Sequence, residues 1–165
     1  MDSEIGGPPL KEGRSAAGYR PKPASEISRN MAAIRSTETR TEVELRRILF
    51  SMGLRFRKNV SHLPGRPDIV FPRARVAVFI DGDYWHGRVL REAGLSAARA
   101  RFTEVQRAYW IPKLQRNVAR DDRVTRDLMS SGWTVLRMWE SQVRLAPLDA
   151  AIRIADLVTS SLSAR

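Results

Sequence analysis

The chain has 165 residues, 42% of them hydrophobic and 28% charged, a balance typical of one soluble globular domain. It contains no cysteine, which excludes disulfides and thiolate metal sites, and no apolar run of about 18 residues that could span a membrane. The 29 Lys and Arg residues outnumber the 18 Asp and Glu residues and give a net charge of +11, which favours nucleic acid as the partner over an acidic protein. The N-terminus lacks the basic and apolar segments of a secretory signal, so we expect a cytoplasmic protein.

The first 25 residues are rich in Gly, Pro, Ser and Ala and contain almost no large apolar side chains. Such a segment cannot bury enough surface to offset the entropy of ordering it. We therefore predict a disordered tail over residues 1–25 and a single folded domain over residues 26–165. A short helix is predicted over residues 27–36.

The segment TRTEVELRRILFSMG has the apolar spacing of an amphipathic helix that ends at Gly53. Its inward positions are predicted to be Leu45, Ile48, Leu49 and Met52.

Three β-rich runs follow this helix. LRFRKNV alternates apolar and basic residues, as expected of a half-buried strand. DIVF and RVAVFI flank the tight turn Pro72-Arg73-Ala74 and are predicted to pair as a hairpin. In that hairpin, position 71 lies opposite position 75 or 76, and position 68 lies opposite position 78 or 79.

The C-terminal half contains two predicted helices and one strand. Residues 88–111 are basic and less regular in pattern, and Pro112 fits the first turn of a long helix that extends to about Ser130. WTVLRMW is the fourth strand, and Pro147 begins the last helix. This element order indicates an α/β domain with a mixed sheet. The inward positions are predicted to be Leu114, Val118, Thr125 and Leu128 in the long helix, and Leu148, Ile152, Ala155 and Leu162 in the last one.

Two carboxylates fall at one end of the predicted hairpin, Asp68 at the start of its first strand and Asp81 at the end of its second. At about 3.3 Å per residue, both can reach one cation. Oxygen ligands suit Mg²⁺ or Mn²⁺, and such an ion can bridge carboxylates and a phosphate, which points to phosphodiester hydrolysis in a basic protein. The alternative is that Asp81-Gly82 is turn chemistry that ends the strand.

Two further residues have both a catalytic and a structural interpretation. His86, five residues after Asp81, can act as a general acid or base near a metal-bound water, or can be a structural histidine beside a tryptophan. Glu42 lies in the first turn of its helix and can close a capping box with Thr39, which explains it without catalysis.

Aromatic residues lie in a basic setting after the second carboxylate, at Tyr84, Trp85, Tyr109 and Trp110. Aromatic side chains interleaved with cations can stack on bases or wedge between them. Core packing is the alternative explanation for these rings.

These motifs together resemble the very short patch repair (Vsr) DNA mismatch endonuclease family of the restriction-endonuclease-like, PD-(D/E)XK, superfamily. The resemblance covers about residues 28–140, through SRNMAAIRS, GLRFRKN, LPGRPDIVF, VAVFIDGDYWHG, YWIPKLQRNVARDDRVTRDL and GWTVLRMWE. It implies a restriction-endonuclease-like fold, which is a single α/β domain with a mixed β-sheet flanked by helices. It also implies an enzyme that uses Mg²⁺, or Mn²⁺, to nick one DNA strand at T·G mismatches left by deamination of 5-methylcytosine.

The functional positions of the family carry over residue by residue. Asp68 resembles its metal-binding aspartate, Asp81 matches a position beside the metal that holds Asp or His, and Ile80 would supply a backbone carbonyl ligand. His86 matches the histidine thought to activate water, and Glu42 matches a helix glutamate implicated in the active site. The positions implied to contact DNA are Tyr84, Trp85, Trp110, Lys113, Asn117 and Arg66.

One departure from the family pattern concerns a structural zinc. Many members hold zinc with cysteines at positions that read Asp83, Arg88 and Ser141 in this chain. With no cysteine and two histidines, a tetrahedral site cannot be assembled in the way of the family, so no structural zinc is expected. We predict instead that Asp83 and Arg88 form an ion pair that partly replaces the metal.

The resemblance implies double-stranded DNA as the substrate and, as partners, a cytosine-5 DNA methyltransferase or mismatch-repair proteins. Two alternative functions stay open: a restriction-like nuclease that acts on other or modified DNA, and a DNA-binding module with a decayed active site.

Overall fold

The computed structural model describes residues 38–164, so the tail predicted over residues 1–25 and the helix predicted over residues 27–36 lie outside the described residues. The helices are α1 (Arg40–Ser51), α2 (Arg88–Ala100), α3 (Glu104–Ser130), α4 (Glu140–Leu145) and α5 (Pro147–Ser163). The strands are β1 (Arg57–Lys58), β2 (Ile69–Phe71), β3 (Val76–Asp81) and β4 (Thr134–Trp139).

The four strands form one mixed sheet in the order β1-β2-β3-β4. Strands β1, β2 and β3 pair antiparallel, whereas β4 lies parallel to β3. Phe71 pairs with Val76 and Ile69 with Val78, which confirms the predicted hairpin and its register. The predicted α/β fold with a mixed sheet flanked by helices is therefore confirmed.

The two faces of the sheet pack against different helices because side chains alternate along a strand. On one face, Val78 packs in a core with Leu45 of α1 and Ile154 of α5, and all three are fully buried. On the other face, Phe79 packs with Leu128 of α3. Burying a side chain of this size stabilises the fold by roughly 1.5–3 kcal/mol, so these two layers fix the sheet between the helices.

Helix α1 largely follows its sequence pattern. Thr39 is the N-cap, and its hydroxyl accepts a hydrogen bond from the backbone N–H of Glu42. Leu45 and Leu49 are buried as predicted, but Met52 lies past the last helical residue and is exposed. The periodicity continued one residue beyond the point at which the helix ends.

The prediction for residues 88–111 is wrong, since most of this segment is helical. Helix α3 begins at Glu104 rather than at Pro112, because Thr103 and Gln106 form a reciprocal capping box that satisfies the first backbone N–H groups. Pro112 lies inside the helix, where its missing N–H removes one backbone hydrogen bond. A proline was thus a poorer marker of the helix start than the capping residues before it.

The predicted inward face of the last helix is also wrong. Leu148 and Ile152 are exposed, as is Leu162, whereas the buried positions of α5 are Ala150, Ala151, Ile154 and Val158. Adjacent alanines allow close approach to a neighbouring helix. The buried face of α5 therefore carries smaller side chains than the face that the apolar spacing predicted.

The half-buried strand predicted at LRFRKNV is reduced to two exposed residues in β1. Leu54 and Phe56 pack against the main core from the segment before that strand. Among residues 38–164, no helix is both long enough and apolar enough to cross a membrane.

Candidate active site

The candidate site lies at one edge of the sheet, where Asp68 precedes β2 and Asp81 ends β3. One Asp68 carboxylate oxygen accepts a hydrogen bond of 2.7 Å from the backbone N–H of Ile80. This bond ties the start of one strand to the end of its neighbour. The two carboxylates therefore occupy the same edge, as the hairpin register predicted.

Asp68 is a carboxyl group in surroundings that favour its protonated form. Burial raises its pKa from 3.8 to about 6, and the negative charges of Glu42 and Asp81 add to this rise. The bond from the Ile80 N–H and the charge of Arg46 oppose the rise without cancelling it. Within residues 38–164, no cationic side chain forms a hydrogen bond or ion pair with Asp68, so a bound cation would relieve this strain on its charged form.

Glu42 reaches the site from the first turn of α1. It is 3% exposed, and its carboxylate accepts a 3.0 Å bond from the Glu38 N–H and faces Arg46 at 3.5 Å. The predicted capping box is only half formed, because Thr39 caps Glu42 but Glu42 bonds the residue before Thr39. Glu42 thus stabilises the helix start and also places negative charge near Asp68.

Asp81 is almost fully buried and is paired with an arginine that the sequence analysis did not consider. Its two oxygens accept hydrogen bonds of 2.6 Å each from Nε and Nη2 of Arg137 in β4. This is the fork-to-fork geometry in which arginine binds carboxylates most strongly. Asp81 lies close enough to Asp68 to affect its pKa, yet both of its oxygens already have a cationic partner.

His86 is held between two carboxylates. Its Nδ1 lies 2.7 Å from Oδ2 of Asp121 in α3 and 3.3 Å from Oδ1 of Asp81. Burial opposes ionisation of Asp121, but the hydrogen bond of His86, the positive charge of this imidazole in its protonated form and the charges of Arg137 and Arg120 outweigh it and lower the pKa of that carboxyl. Because carboxylates engage Nδ1, the neutral ring carries its proton there and leaves Nε2 able to accept one.

Asp121 and Arg137 are site residues that the sequence analysis missed, although each left a signal. Asp121 lies seven residues from both Leu114 and Leu128, so it is a charged residue on the otherwise apolar, inward face of α3. Arg137 is a charge in the middle of the apolar strand WTVLRMW. A charged residue at a position that periodicity assigns to the interior usually has a partner there.

The predicted wedge residues form one aromatic group beside the site. Tyr84 contacts Trp85 at 4.9 Å and Trp110 at 5.4 Å between ring centroids, in edge-to-face geometry. Lys113 lies 5.2–5.7 Å from the rings of Trp85, Trp110 and Tyr109, within reach of cation–π attraction. Tyr84 and Trp110 also pack on a core cluster that includes Ile111 and Leu114 of α3, so core packing and base stacking are compatible for these two rings.

Asn117 and Arg66 occupy different surroundings. The Asn117 side-chain amide donates a 2.9 Å hydrogen bond to the Trp85 carbonyl, so it holds the loop that carries the aromatic residues. Arg66 is exposed, and it follows Gly65, whose φ is +73°. A Cβ at Gly65 would lie 2.5 Å from Val124 of α3, so glycine lets this loop approach the helix.

The three positions that the resemblance aligns with zinc-binding cysteines, Asp83, Arg88 and Ser141, are joined by hydrogen bonds in this protein. Arg88 donates 2.7 Å bonds to Asp83 and to the Ser141 hydroxyl, and Ser141 bonds Asp83 through its hydroxyl at 2.6 Å and its N–H at 3.0 Å. Burial opposes ionisation of Asp83, but these bonds lower the pKa of its carboxyl, and Asp83 raises the pKa of Arg88. The predicted ion pair is present, with Ser141 as an additional member. We call these three residues the polar staple.

The side chains around Asp68 offer few ligands for the expected Mg²⁺. In the part of the chain that the structure describes, no cluster of three His, Cys, Asp or Glu side chains is placed to hold a metal ion. A cation at Asp68 would therefore take its other ligands from a backbone carbonyl such as that of Ile80, from water and from the DNA phosphate. Mg²⁺ commonly binds in this way, with one or two carboxylates and several waters.

The comparisons with known proteins agree with the sequence motifs. The family model for DNA mismatch endonuclease Vsr matches residues 22–92. The type II nicking enzyme V.XorIIP of Xanthomonas oryzae pv. oryzae is 40% identical over 124 residues, which cover 74% of this chain and 86% of the relative. The chain belongs to the Vsr endonuclease family.

Other relatives support the same assignment. The type II nicking enzyme V.NaeI of Lentzea aerocolonigenes is 41% identical over 133 residues, covering 77% of this chain and 75% of that protein. The DNA mismatch endonuclease Vsr of Escherichia coli K12 is 37% identical over 117 residues, covering 71% and 70%. The expectation of a DNA endonuclease is thereby confirmed for this Vsr-family protein.

Proposed function

We propose that this Vsr-family protein is a Mg²⁺-dependent endonuclease that nicks one DNA strand at T·G mismatches. The observation that carries the proposal is the joint placement of Asp68 and His86. Asp68 is a partly buried carboxylate with no cationic side chain bonded to it among residues 38–164, and His86 is fixed through Nδ1 by Asp121. One residue is suited to hold a cation and the other to handle a proton.

The expected reaction is hydrolysis of a phosphodiester bond. Bound at Asp68, Mg²⁺ would supply charge neutralisation of the scissile phosphate and increase the acidity of a nearby water. Nε2 of His86 accepts a proton from the attacking water as its oxygen bonds to phosphorus, and the bond to the 3′-oxygen breaks. Asp121 stabilises the imidazolium that forms, because its carboxylate lies 2.7 Å from Nδ1. The 3′-oxygen takes a proton from a solvent water and leaves as a hydroxyl, and His86 afterwards returns its proton to solvent.

Selection of a mismatch is assigned to the aromatic group of Tyr84, Trp85 and Trp110. Wedging these rings between base pairs costs a few kcal/mol of unstacking, and the cost is lowest at a mispair. Lys113 beside the rings supplies a cation for a nearby phosphate. The names of the relatives support two parts of the proposal: DNA mismatch endonuclease supports action at a mismatch, and type II nicking enzyme supports cutting of one strand.

The test is a nicking assay on three substrates: a duplex with one T·G mismatch, the matched C·G duplex and the single strand. We expect nicking of the T·G duplex with Mg²⁺, none with chelator, and a loss on the order of 10³-fold in Asp68→Ala. Equal cutting of all three substrates would favour the alternative of a nuclease for other DNA. Nicking by Asp68→Ala at the wild-type rate would refute the site.

The partner proteins stay predictions. Pull-down with a cytosine-5 DNA methyltransferase, or with mismatch-repair proteins, is the direct measurement.

A further inference from the structure

Arg137 occupies a position that is unusual for a charged side chain. It lies in the middle of β4, in register with Phe79 of β3, and its guanidinium lies 4.4 Å from the centre of the Phe79 ring. The side chain is only 20% exposed. Although β4 is an edge strand, a cation in such a largely buried position requires compensating partners.

Those partners are the residues that hold His86. Besides its two bonds to Asp81, Arg137 lies 3.7 Å from Oδ1 of Asp121 through Nη2 and 3.5 Å from the Thr125 hydroxyl through Nη1. Asp81 and Asp121 are also the two carboxylates on either side of His86 Nδ1. The guanidinium thus bridges both supports of the imidazole.

We propose that Arg137 is a positioning residue of the nicking reaction. By pairing with both oxygens of Asp81, it fixes the support of His86 and keeps Asp81 from ligating the cation, a task left to Asp68. This inference rests on the proposed function, because it names how the same site divides its work between two aspartates.

The charges explain why an arginine is needed at this position. The negative charges of Glu42 and Asp81 both act on Asp68 and oppose its ionisation, and Asp121 lies on the other side of the same Arg137 guanidinium. The bidentate pair compensates Asp81, while Asp68 has no comparable partner among residues 38–164. Without Arg137, the buried carboxylate of Asp81 would keep only His86 as a partner and would turn towards any cation bound at Asp68.

The test combines Arg137→Met, Asp81→Asn and the double variant in a nicking assay on the T·G duplex over a range of Mg²⁺ concentrations. For Arg137→Met we expect a kcat about 10- to 100-fold lower, as for other residues that orient a functional group. We also expect a several-fold lower half-saturating Mg²⁺ concentration, because freed Asp81 adds a ligand. A merely structural residue would not make metal binding tighter while slowing the reaction.

The remaining variants separate the effect of the pair from that of each residue. In the Asp81→Asn background, adding Arg137→Met should change kcat less than threefold, since Arg137 acts through Asp81. Arg137→Lys, which keeps the charge but loses the fork, should recover only part of the rate. Arg73→Met, at an exposed turn position at the opposite end of β2, is the matched control and should behave as wild type.

Two results would overturn the inference: independent, multiplicative losses in the double variant, or a normal kcat and Mg²⁺ dependence in Arg137→Met. If Arg137→Met does not fold, the comparison of Asp81→Asn with the double variant decides the question.

A measurement without DNA keeps this inference distinct from the proposed function. The chain has two histidines, so a His62→Gln background leaves His86 as the single imidazole signal in ¹⁵N spectra. Arg137→Met or the double variant should shift or broaden that signal, whereas Arg73→Met should not. An unchanged signal refutes the positioning role even if the protein nicks T·G DNA, and a changed signal supports it even if the substrate is another DNA.

Discussion

Asp68 and Asp81 lie at the same edge of the sheet on neighbouring strands, but their surroundings differ. Asp68 accepts a hydrogen bond from one backbone N–H, has no cationic side-chain partner among residues 38–164, and has its pKa raised to about 6 by burial and neighbouring carboxylates. Asp81 has both oxygens bound by the Arg137 guanidinium. The carboxylate of Asp68 thus lacks a cationic partner among residues 38–164, whereas the carboxylate of Asp81 has one in Arg137.

This difference indicates that position at the edge does not decide the role of a carboxylate. A carboxylate that is paired with a cationic side chain can hold neighbouring groups in place. A carboxylate that is removed from water without such a partner favours binding of a proton or a metal ion. Replacing each aspartate by its neutral amide, asparagine, separates the two roles experimentally.

The largest difference is expected in the rate of nicking. Asp68→Asn should lower kcat on the order of 10³-fold, because it removes the carboxylate assigned to the cation. Asp81→Asn should lower kcat only about 10- to 100-fold, because it weakens the hold on His86 but leaves Asp68, the expected metal ligand, in place. Single-turnover nicking at saturating Mg²⁺ measures both, and equal losses would mean that the two carboxylates share the metal.

The next effect is on stability and has opposite signs at the two positions. The folded state raises the pKa of Asp68, so its ionised form destabilises the metal-free protein, and stability is lost as the pH rises from about 4 to 6. At about 1.4 kcal/mol per pKa unit, Asp68→Asn should therefore increase the free energy of unfolding at pH 8 by up to about 3 kcal/mol. At pH 4 the substitution should have little effect.

Asp81→Asn should destabilise instead, by roughly 2–3 kcal/mol, since it leaves Arg137 without its charged partner in a largely buried position. Chemical denaturation in the presence of chelator measures both variants. A loss of stability in Asp68→Asn at pH 8 would contradict the assignment of Asp68 as the strained carboxylate.

The smallest effect is expected at the polar staple. Asp83→Ala should cost about 1–2 kcal/mol of unfolding free energy, because it removes the acceptor shared by Arg88 and Ser141. Glu92→Ala removes the other, more exposed partner of Arg88 and should cost less than about 0.5 kcal/mol. An unchanged melting temperature in Asp83→Ala would show that the staple contributes nothing measurable.

Periodicity and local motifs predicted much of this molecule. The hairpin register, the fourth strand and helix α1 follow from alternation and apolar spacing, and the shared edge of Asp68 and Asp81 follows from that register. The start of α3 was missed because the Pro112 signal was preferred to the Thr103 capping box. The inward face of α5 was missed because two small alanines pack more closely than the larger residues that periodicity favoured.

The sequence by itself determined the family, the basic character, and where along the chain the acidic, aromatic and histidine positions fall, because these depend on local order and residue type. Only the tertiary structure decided which cation meets which carboxylate. Arg137 and Asp81 are 56 residues apart, and His86 and Asp121 are 35 apart. Residue periodicity reports whether a side chain faces the interior, but it does not report its partner there, and at this site the partner decides the chemistry.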